Sequence, residues 1–237
     1  MKIVAIGGGE IGRPGTEIET ESIDKEIIKL TNKPNPLLLF LPTASGDSES
    51  YYDVVKGYFS GLGCQTDVLY LTKNPSDEEI RDAILAADII YVGGGNTKKM
   101  MKLWKERCVD HLLKDALKDD IVLSGLSAGS ICWFKDGLSD SLIMEGKDEW
   151  CDVEGLNFIP FTNCPHYATE KRAQPFKELL RNGSIGIALD ECAALVKENN
   201  QYKIISSKPE ANAYKCYWKD NQYHEEVLEK DKLLSLE

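Results

Sequence analysis

The chain has 237 residues, enough to bury a sizeable core, and its 42% hydrophobic and 28% charged residues are typical of a globular protein. We expect a cytoplasmic protein without a membrane partner, because no apolar run approaches the roughly 20 residues of a bilayer span and the apolar start is too short for a signal peptide. With a net charge of −11, the sequence lacks the concentrated basic face that a nucleic-acid partner requires.

Short apolar runs alternate with amphipathic patterns through the first two thirds of the chain. The apolar runs predict buried strands over residues 2–7, 36–43, 66–71, 88–95 and 121–127. The amphipathic patterns predict helices over residues 22–32, 48–63, 76–87 and 97–118, the last as one helix or two, and a helix start over residues 128–134. Strands rich in Val, Ile and Leu that alternate with helices indicate an α/β fold, with a mostly parallel sheet covered by helices on both faces.

The pattern changes after about Gly137, where the predicted elements become shorter. They cover residues 141–144, 159–167, 185–190, 192–199, 201–207 and 212–218, with a helix over 169–183. The last of these predict antiparallel strands joined by turns. Since no linker rich in Pro, Gly or Ser interrupts the sequence, we expect a single domain over residues 1–237, with a modified C-terminal third.

A glycine cluster follows the first predicted strand and matches the dinucleotide-binding pattern G-x-G-x-x-G through Gly7, Gly9 and Gly12. That pattern requires a helix to begin at once and an acidic residue at the end of the second strand. Pro14 interrupts the helix, and the second strand ends in FLPTAS without an acid. We therefore predict a loop at the carboxyl edge of the sheet, near the crevice where open α/β sheets bind ligands, and no nucleotide cofactor.

Ser127 stands in the sequence GLSAG, between a predicted strand and a predicted helix. A sharp strand-to-helix turn strains the backbone at its apex and tolerates only small residues two positions away, where Gly125 and Gly129 stand. The side chain at such an apex is free above the sheet, and the next N–H group, that of Ala128, faces any oxyanion that forms beside it. The sequence favours Ser127 as a nucleophile, with an ordinary N-cap serine as the alternative.

A serine nucleophile needs a base, and the chain has three histidines. His166 lies in a predicted loop after a short strand, where its imidazole can reach across to the serine. His111 falls in a helical pattern typical of a surface or boundary position, and His224 lies in the polar segment DNQYHEE, where we expect a solvated side chain. By elimination, His166 is the candidate base.

The base in turn needs a carboxylate to orient it. Asp190 and Glu191 stand where one predicted strand ends and the next begins, and Asp140 lies closer to the serine in the chain. Because strand ends hold side chains firmly, we favour Glu191 and keep Asp140 as the alternative. A plain turn is the competing interpretation of the acidic pair.

A second glycine run, YVGGGNT, again follows a predicted strand and precedes a helix. Backbone N–H groups around Gly94 and Gly95 can supply another oxyanion donor, since the absent side chains let a carbonyl approach closely. A tight turn in which Asn96 or Thr97 caps the helix explains the same residues, and both interpretations can hold together.

The motifs YVGGGNT, GLSAGS and CPHY, in this order, resemble those of the peptidase E family of serine peptidases, which includes aspartyl dipeptidases and cyanophycinases. The resemblance runs from the first strand to about residue 195. It implies a fold similar to that of class I glutamine amidotransferases, a flavodoxin-like three-layer architecture. The site that it implies has Ser127 as nucleophile, His166 as base, and an oxyanion hole at Gly94, Gly95 and Ala128.

The third catalytic acid differs among members of that family. Some use an Asp between the serine and the histidine, others a Glu after the histidine, and LDECAAL resembles the second type, which favours Glu191 over Asp140. Aspartyl dipeptidases hold the substrate carboxylate with basic residues, and by the resemblance Arg172 is the candidate for that role. The solvent face of a helix is the alternative position for Arg172.

These observations predict a serine peptidase that hydrolyses short peptides, Asp-X dipeptides among the candidates, through an acyl-enzyme. A catalytically silent binding or regulatory protein on the same fold is the competing hypothesis. Neither a metal nor a cofactor is required, and the seven scattered cysteines indicate reduced, mostly buried thiols. Amidotransferase activity is not expected, because amidotransferases carry a cysteine at the position of Ser127. The cysteine nearest to Ser127, Cys132, should face the core. A small peptide is the expected ligand, and both a monomer and a homodimer fit the sequence.

Overall fold

The computed structural model describes residues 1–117, 120–169 and 171–236. In these residues the first sheet has eight strands, in the spatial order β14 (Leu233–Leu234), β11 (Gln201–Ser206), β10 (Ala193–Glu198), β1 (Lys2–Ile6), β5 (Val122–Leu126), β4 (Ile89–Val92), β2 (Leu37–Leu41) and β3 (Gln65–Val68). The five strands from β1 to β3 are parallel, whereas β10, β11 and β14 pair antiparallel. The C-terminal strands thus extend a parallel sheet with an antiparallel edge, as their sequence predicted.

A second sheet holds the remaining strands of the described residues, in the order β13 (Gln222–Val227), β12 (Ala213–Lys219), β9 (Gly186–Leu189), β8 (Ile159–Cys164), β6 (Phe134–Ser139) and β7 (Cys151–Glu154). Strands β6, β8 and β9 are parallel, and β7, β12 and β13 pair antiparallel. This corrects the expectation of one mostly parallel sheet, because two mixed sheets divide the strands between them. The fold is mixed α/β.

The described α-helices are α1 (Glu21–Leu30), α2 (Glu49–Gly61), α3 (Asp77–Ala86), α4 (Thr97–Glu106), α5 (Val109–Ala116), α6 (Ala128–Ile131) and α7 (Ala173–Leu179). They cover both faces of the first sheet, and the alternation of side chains along β2 shows how. Leu38 and Phe40 pack with residues of α1 and α2 on one face. Leu39 and Leu41 pack with residues of α3, α4 and α5 on the other. The prediction of helices on both faces is confirmed.

Several predicted elements have different limits in the structure. The stretch 97–118, predicted as one helix or two, contains two helices, because Cys108 between them has a left-handed φ of 54°. The helix start at 128 is only the short α6, since strand β6 follows almost at once. Two positions of the predicted helices lie outside the described residues. They are Lys118, at the end of the stretch 97–118, and Glu170, in the predicted helix over 169–183. That helix begins as α7 at Ala173.

The cysteines and the two other histidines complete the comparison with the sequence. All seven cysteines are free thiols and five of them are buried, among them Cys132 with no exposed surface, as predicted. His111 is exposed on α5, as expected. His224, however, lies in β13 and stacks on Tyr217 with ring centroids 5.0 Å apart, so the expected solvated segment is a strand. None of the described helices has the length and apolar character needed to cross a membrane.

Asp24, on α1, is a fully buried acid. Its Oδ2 accepts hydrogen bonds from Thr20 Oγ1 at 2.7 Å and from the Tyr58 hydroxyl at 2.9 Å. Burial raises the pKa of Asp24 to about 7, because the loss of hydration outweighs these two hydrogen bonds. Thr20 also packs against the loop after β1, where a Cβ on Gly9 would lie 2.7 Å from Thr20 Cγ2.

We expect Asp24→Asn to weaken the pH dependence of stability. The folded protein keeps the Asp24 proton up to about pH 7, whereas an unburied aspartate releases it near pH 3.8. The folded state therefore binds more protons in this window, and the free energy of unfolding of the wild type falls as pH rises through it. Urea unfolding at pH 5 and pH 8 should show that Asp24 accounts for a loss of about 2 kcal/mol, which the variant lacks. The exposed Asp82→Asn is the control, and equal slopes in wild type and Asp24→Asn would contradict the prediction.

Candidate active site

A cleft of about 1080 Å³ lies at the carboxyl edge of the parallel strands. Its walls are the loops after β1, β2, β4 and β5, the start of α2, and the segments that carry His166 and Glu191. Open α/β sheets form ligand sites at this edge. Ser127, His166 and Glu191 all line the cleft, so the structure brings together the three residues that the sequence singled out.

Ser127 stands at a strained turn between β5 and α6. Its φ of 56° and ψ of −111° are unfavourable for a residue with a side chain. The turn is tight, because a Cβ on Gly125 would lie 2.6 Å from the carbonyl oxygen of Val92, and one on Gly129 only 2.1 Å from it. The two glycines therefore let the turn pack against β4, as the predicted sharp strand-to-helix turn at Ser127 requires.

The backbones of Ser127 and His166 are both anchored at the end of β1. Ser127 N–H donates to the carbonyl oxygen of Ile6 at 3.2 Å, and His166 N–H donates to that of Gly7 at 3.1 Å. Since Cα atoms of consecutive residues are about 3.8 Å apart, these two hydrogen bonds hold segments that are distant in the chain at the same end of β1. The imidazole packs against Gly8, where a Cβ would lie 2.4 Å from His166 Cε1 and 2.5 Å from Nδ1.

Glu191 contacts the imidazole. It lies in the turn between β9 and β10, as predicted, and its Oε1 is 3.1 Å from His166 Nδ1. This hydrogen bond is the main reason that the pKa of Glu191 lies below its usual value, and it outweighs the effect of partial burial. An ionised Glu191 keeps the imidazole proton on Nδ1 and leaves Nε2 free to accept one.

The neighbouring Asp190 has a different task. Its carboxylate accepts hydrogen bonds from Ala168 N–H at 3.1 Å, Asn212 N–H at 2.9 Å and the Tyr214 hydroxyl at 3.2 Å. These contacts fix the chain that follows His166. The two interpretations of the acidic pair, a plain turn and a partner for the histidine, therefore both apply. Asp190 holds the turn, and Glu191 contacts His166.

Arg172 and Asp140 contact each other. The Arg172 side chain is 2% exposed, and its Nη2 lies 3.1 Å from Asp140 Oδ2. The guanidinium also lies over the Trp150 ring, 4.6 Å from the ring centroid. The solvent-face alternative for Arg172 is therefore wrong, and neither residue is among the described residues that line the cleft. This placement favours a structural role for the pair.

The second glycine run forms the wall of the cleft opposite the loop after β1. A Cβ on Gly94 would lie 3.4 Å from Ser127 Cβ, so the run passes directly beside the serine. Gly95 has a φ of 138° and touches the loop after β2, where a Cβ would lie 2.2 Å from Ala44 O. Asn96 caps α4 by accepting a hydrogen bond from Lys99 N–H at 2.9 Å. The tight capped turn is confirmed, and it leaves both glycines in the cleft lining.

Two residues of the cleft were not found from the sequence. Arg13 lies in the loop after β1 and donates from Nε to Glu10 Oε2 at 2.8 Å. It is the only Lys or Arg among the described lining residues, which include four acids. Tyr51 lines the cleft from α2. The sequence could have indicated Arg13, because it lies in the loop that was predicted to line the crevice. It gave no indication of Tyr51, which lies in an amphipathic helix rich in tyrosines.

The mixed α/β fold, with a serine, a histidine and a glutamate in one cleft at the carboxyl edge, is typical of α/β hydrolytic enzymes. No three His, Cys, Asp or Glu side chains converge as metal ligands within the described ranges. The sequence profile of peptidase family S51 matches residues 3–205, and the chain belongs to this family. It is therefore a peptidase, and the resemblance seen in the sequence is confirmed.

Individual relatives support this assignment. The chain is 36% identical to the uncharacterized peptidase YgaJ of Bacillus subtilis (strain 168) over 228 residues, which cover 94% of this chain and 95% of that protein. It is 30% identical to peptidase E of Shewanella sp. (strain ANA-3) over 188 residues, or 72% and 75% of the two chains. The crystal structure of a peptidase from an acI-B1 actinobacterium superposes with a TM-score of 0.72 at 20% identity, covering 99% and 96% of the chains, which shows a shared fold.

Proposed function

We propose that this peptidase is a serine enzyme that hydrolyses short peptides through an acyl-enzyme at Ser127. The observation that carries the proposal is the anchoring of Ser127 and His166 on consecutive carbonyls at the end of β1, with His166 bonded to Glu191. This arrangement supplies a nucleophile, a base and an orienting acid in one cleft. We also propose that the fold is of the class I glutamine amidotransferase type.

The chemistry follows from these positions. His166 Nε2 takes the hydroxyl proton as Ser127 Oγ bonds to the scissile carbonyl carbon. When the C–N bond breaks, His166 returns this proton to the leaving amine, and Ser127 is left as an ester of the acyl fragment. Water, deprotonated by His166, then attacks the ester, releases the acid and restores the serine hydroxyl. Ionised Glu191 stabilises the imidazolium that forms in each half of the cycle.

The oxyanion of each tetrahedral intermediate needs hydrogen-bond donors. Ala128 N–H is one of the first N–H groups of α6, which lack intrahelical acceptors. Gly94 lies in contact with Ser127 from the other side. We propose that these two N–H groups, together with the neighbouring Gly95, form the oxyanion hole.

Substrate preference is proposed only in outline. Short peptides fit a cleft of this volume, and Asp-X dipeptides stay among the candidates. Arg13 is the side chain in the described lining that can pair with a substrate carboxylate, since Arg172 is buried against Asp140. A dipeptide library with varied first residues identifies the preferred substrate and supplies the kinetic assay.

A fluorophosphonate probe tests the nucleophile without a known substrate. We expect the wild type to form one covalent adduct, which mass spectrometry places on Ser127, and Ser127→Ala to form none. Ser124→Ala is the matched control, because its buried hydroxyl donates to Val4 O at 3.1 Å, outside the cleft lining. A wild type that stays unlabelled would favour the catalytically silent protein, and an adduct that persists in Ser127→Ala would show that Ser127 is not the labelled nucleophile.

A further inference from the structure

Tyr51 projects from α2 into the cleft, and its ring is held in one position. The ring meets Phe40 edge-on, with centroids 5.0 Å apart and planes at 73°. Its other edge lies against Gly93, where a Cβ would come within 2.8 Å of Tyr51 Cε1. Because packing fixes the ring, the hydroxyl has a defined place in the cleft before any ligand binds.

That place is next to Gly94. Gly94 N–H donates to the Tyr51 hydroxyl oxygen at 3.4 Å, a long and therefore weak hydrogen bond. Gly94 also faces Ser127, since a Cβ there would lie 3.4 Å from Ser127 Cβ. Gly94 thus links the hydroxyl of Tyr51 to the nucleophile that we propose.

The Tyr51 hydroxyl proton is available to a ligand. Within the described residues, no group accepts a hydrogen bond from this hydroxyl, whose one hydrogen bond is as acceptor from Gly94. Burial raises the pKa of Tyr51, so the phenol keeps its proton at neutral pH. A charged oxygen in the cleft is a stronger acceptor than any neutral group and attracts such a donor.

We propose that Tyr51 is a further catalytic residue, whose hydroxyl donates a hydrogen bond to the oxyanion that forms when Ser127 attacks the substrate carbonyl. The proposal rests on the proposed function of Ser127. Tyr51 keeps its proton throughout, and no bond to the phenol forms or breaks. Gly94 N–H donates weakly to the same hydroxyl in the free enzyme, and it donates to the oxyanion when the oxyanion forms. The negative charge is then shared by a phenol and backbone N–H groups.

Tyr51→Phe tests this role, because it removes the hydroxyl and keeps the ring contacts with Phe40 and Gly93. Fluorophosphonates place a phosphonyl oxygen where the oxyanion forms, so the second-order rate constant for labelling of Ser127 measures the donors directly. We expect this constant, and kcat for the preferred dipeptide, to fall by about 10²-fold with KM within twofold of the wild type.

Tyr52→Phe is the matched control. Tyr52 lies next to Tyr51 on α2, and its hydroxyl donates to Thr66 O at 3.3 Å, outside the cleft lining. It should react at the wild-type rate, and thermal melting should show both variants folded. A Tyr51→Phe rate within twofold of the wild type, a faster rate, or an equal loss in Tyr52→Phe would overturn the proposal. In each of these cases, labelling of the wild type by the fluorophosphonate would still support Ser127 as the nucleophile. A wild type that is not labelled would instead refute the proposed function itself.

Discussion

Replacing His166 with alanine should lower kcat by about 10⁴-fold or more while the protein stays folded. The expected loss is large because His166 is the one base in the described cleft lining that contacts Glu191. No other such base is available there to the Ser127 hydroxyl. The imidazole is only 18% exposed and packs on Gly8, so its removal leaves a small space at the cleft surface and costs little stability. Steady-state kinetics on the preferred dipeptide measure the effect.

His111→Ala is the control for this experiment, since His111 is exposed on α5 and outside the cleft lining. It should keep wild-type kcat. Restoration of part of the His166→Ala activity by added imidazole would support the role of the ring as a base. A His166→Ala enzyme that retains more than about a tenth of wild-type kcat contradicts the assignment, because base catalysis alone accounts for about 10²-fold or more.

Gly8→Ala should lower kcat by about 10²-fold without removing any catalytic group. The new Cβ would lie 2.4 Å from His166 Cε1 and 3.2 Å from Glu191 Cγ, so the imidazole and the carboxylate must both shift. Gly8 does not have a positive φ, and its backbone therefore accepts alanine without strain. The misplacement of a catalytic ring by about 1 Å is enough to produce such a loss. Measurement of kcat together with the melting temperature separates this effect from unfolding.

Gly57→Ala is the matched control, because a Cβ at this position on α2 meets no atom within 4 Å. It should leave kcat unchanged and stabilise the helix slightly, by up to about 1 kcal/mol. Wild-type turnover in Gly8→Ala would show that the ring does not need its observed position, and would count against the geometry proposed for the base.

The sequence was most informative where local geometry demands particular residues. The GLSAG turn needs glycine at 125 and 129 because both positions touch the Val92 carbonyl, and such a requirement is visible without any alignment. Strands β1, β2, β4 and β5 were also predicted, since burial on both faces leaves continuous apolar runs. The edge strand β3 instead has partly or fully exposed residues throughout and ends before its predicted limit. The Glu191 preference followed from its place between two strands, which the structure reproduces.

Features that depend on distant contacts were not visible in the sequence. Strands β6 and β7 pair at one edge of the second sheet, and their sequences, FKDGLS and CDVE, lack the continuous apolar run of the predicted strands. Arg172 was assigned to substrate or solvent, yet it is buried by Asp140 and Trp150, which come from elsewhere in the chain. Tyr51 gains its importance only from the approach of Gly94 and has no local signature.

Strand β1 is synthesised before the other strands, yet its two neighbours in the sheet are β5 and the much later β10. On the ribosome, the carbonyls of Ile6 and Gly7 must therefore wait for partners that emerge far downstream. The growing polypeptide cannot bring together the serine, histidine and glutamate that we propose for catalysis until the residues around Glu191 have left the exit tunnel. The assembly of the site that we propose is therefore a late event in the synthesis of the chain.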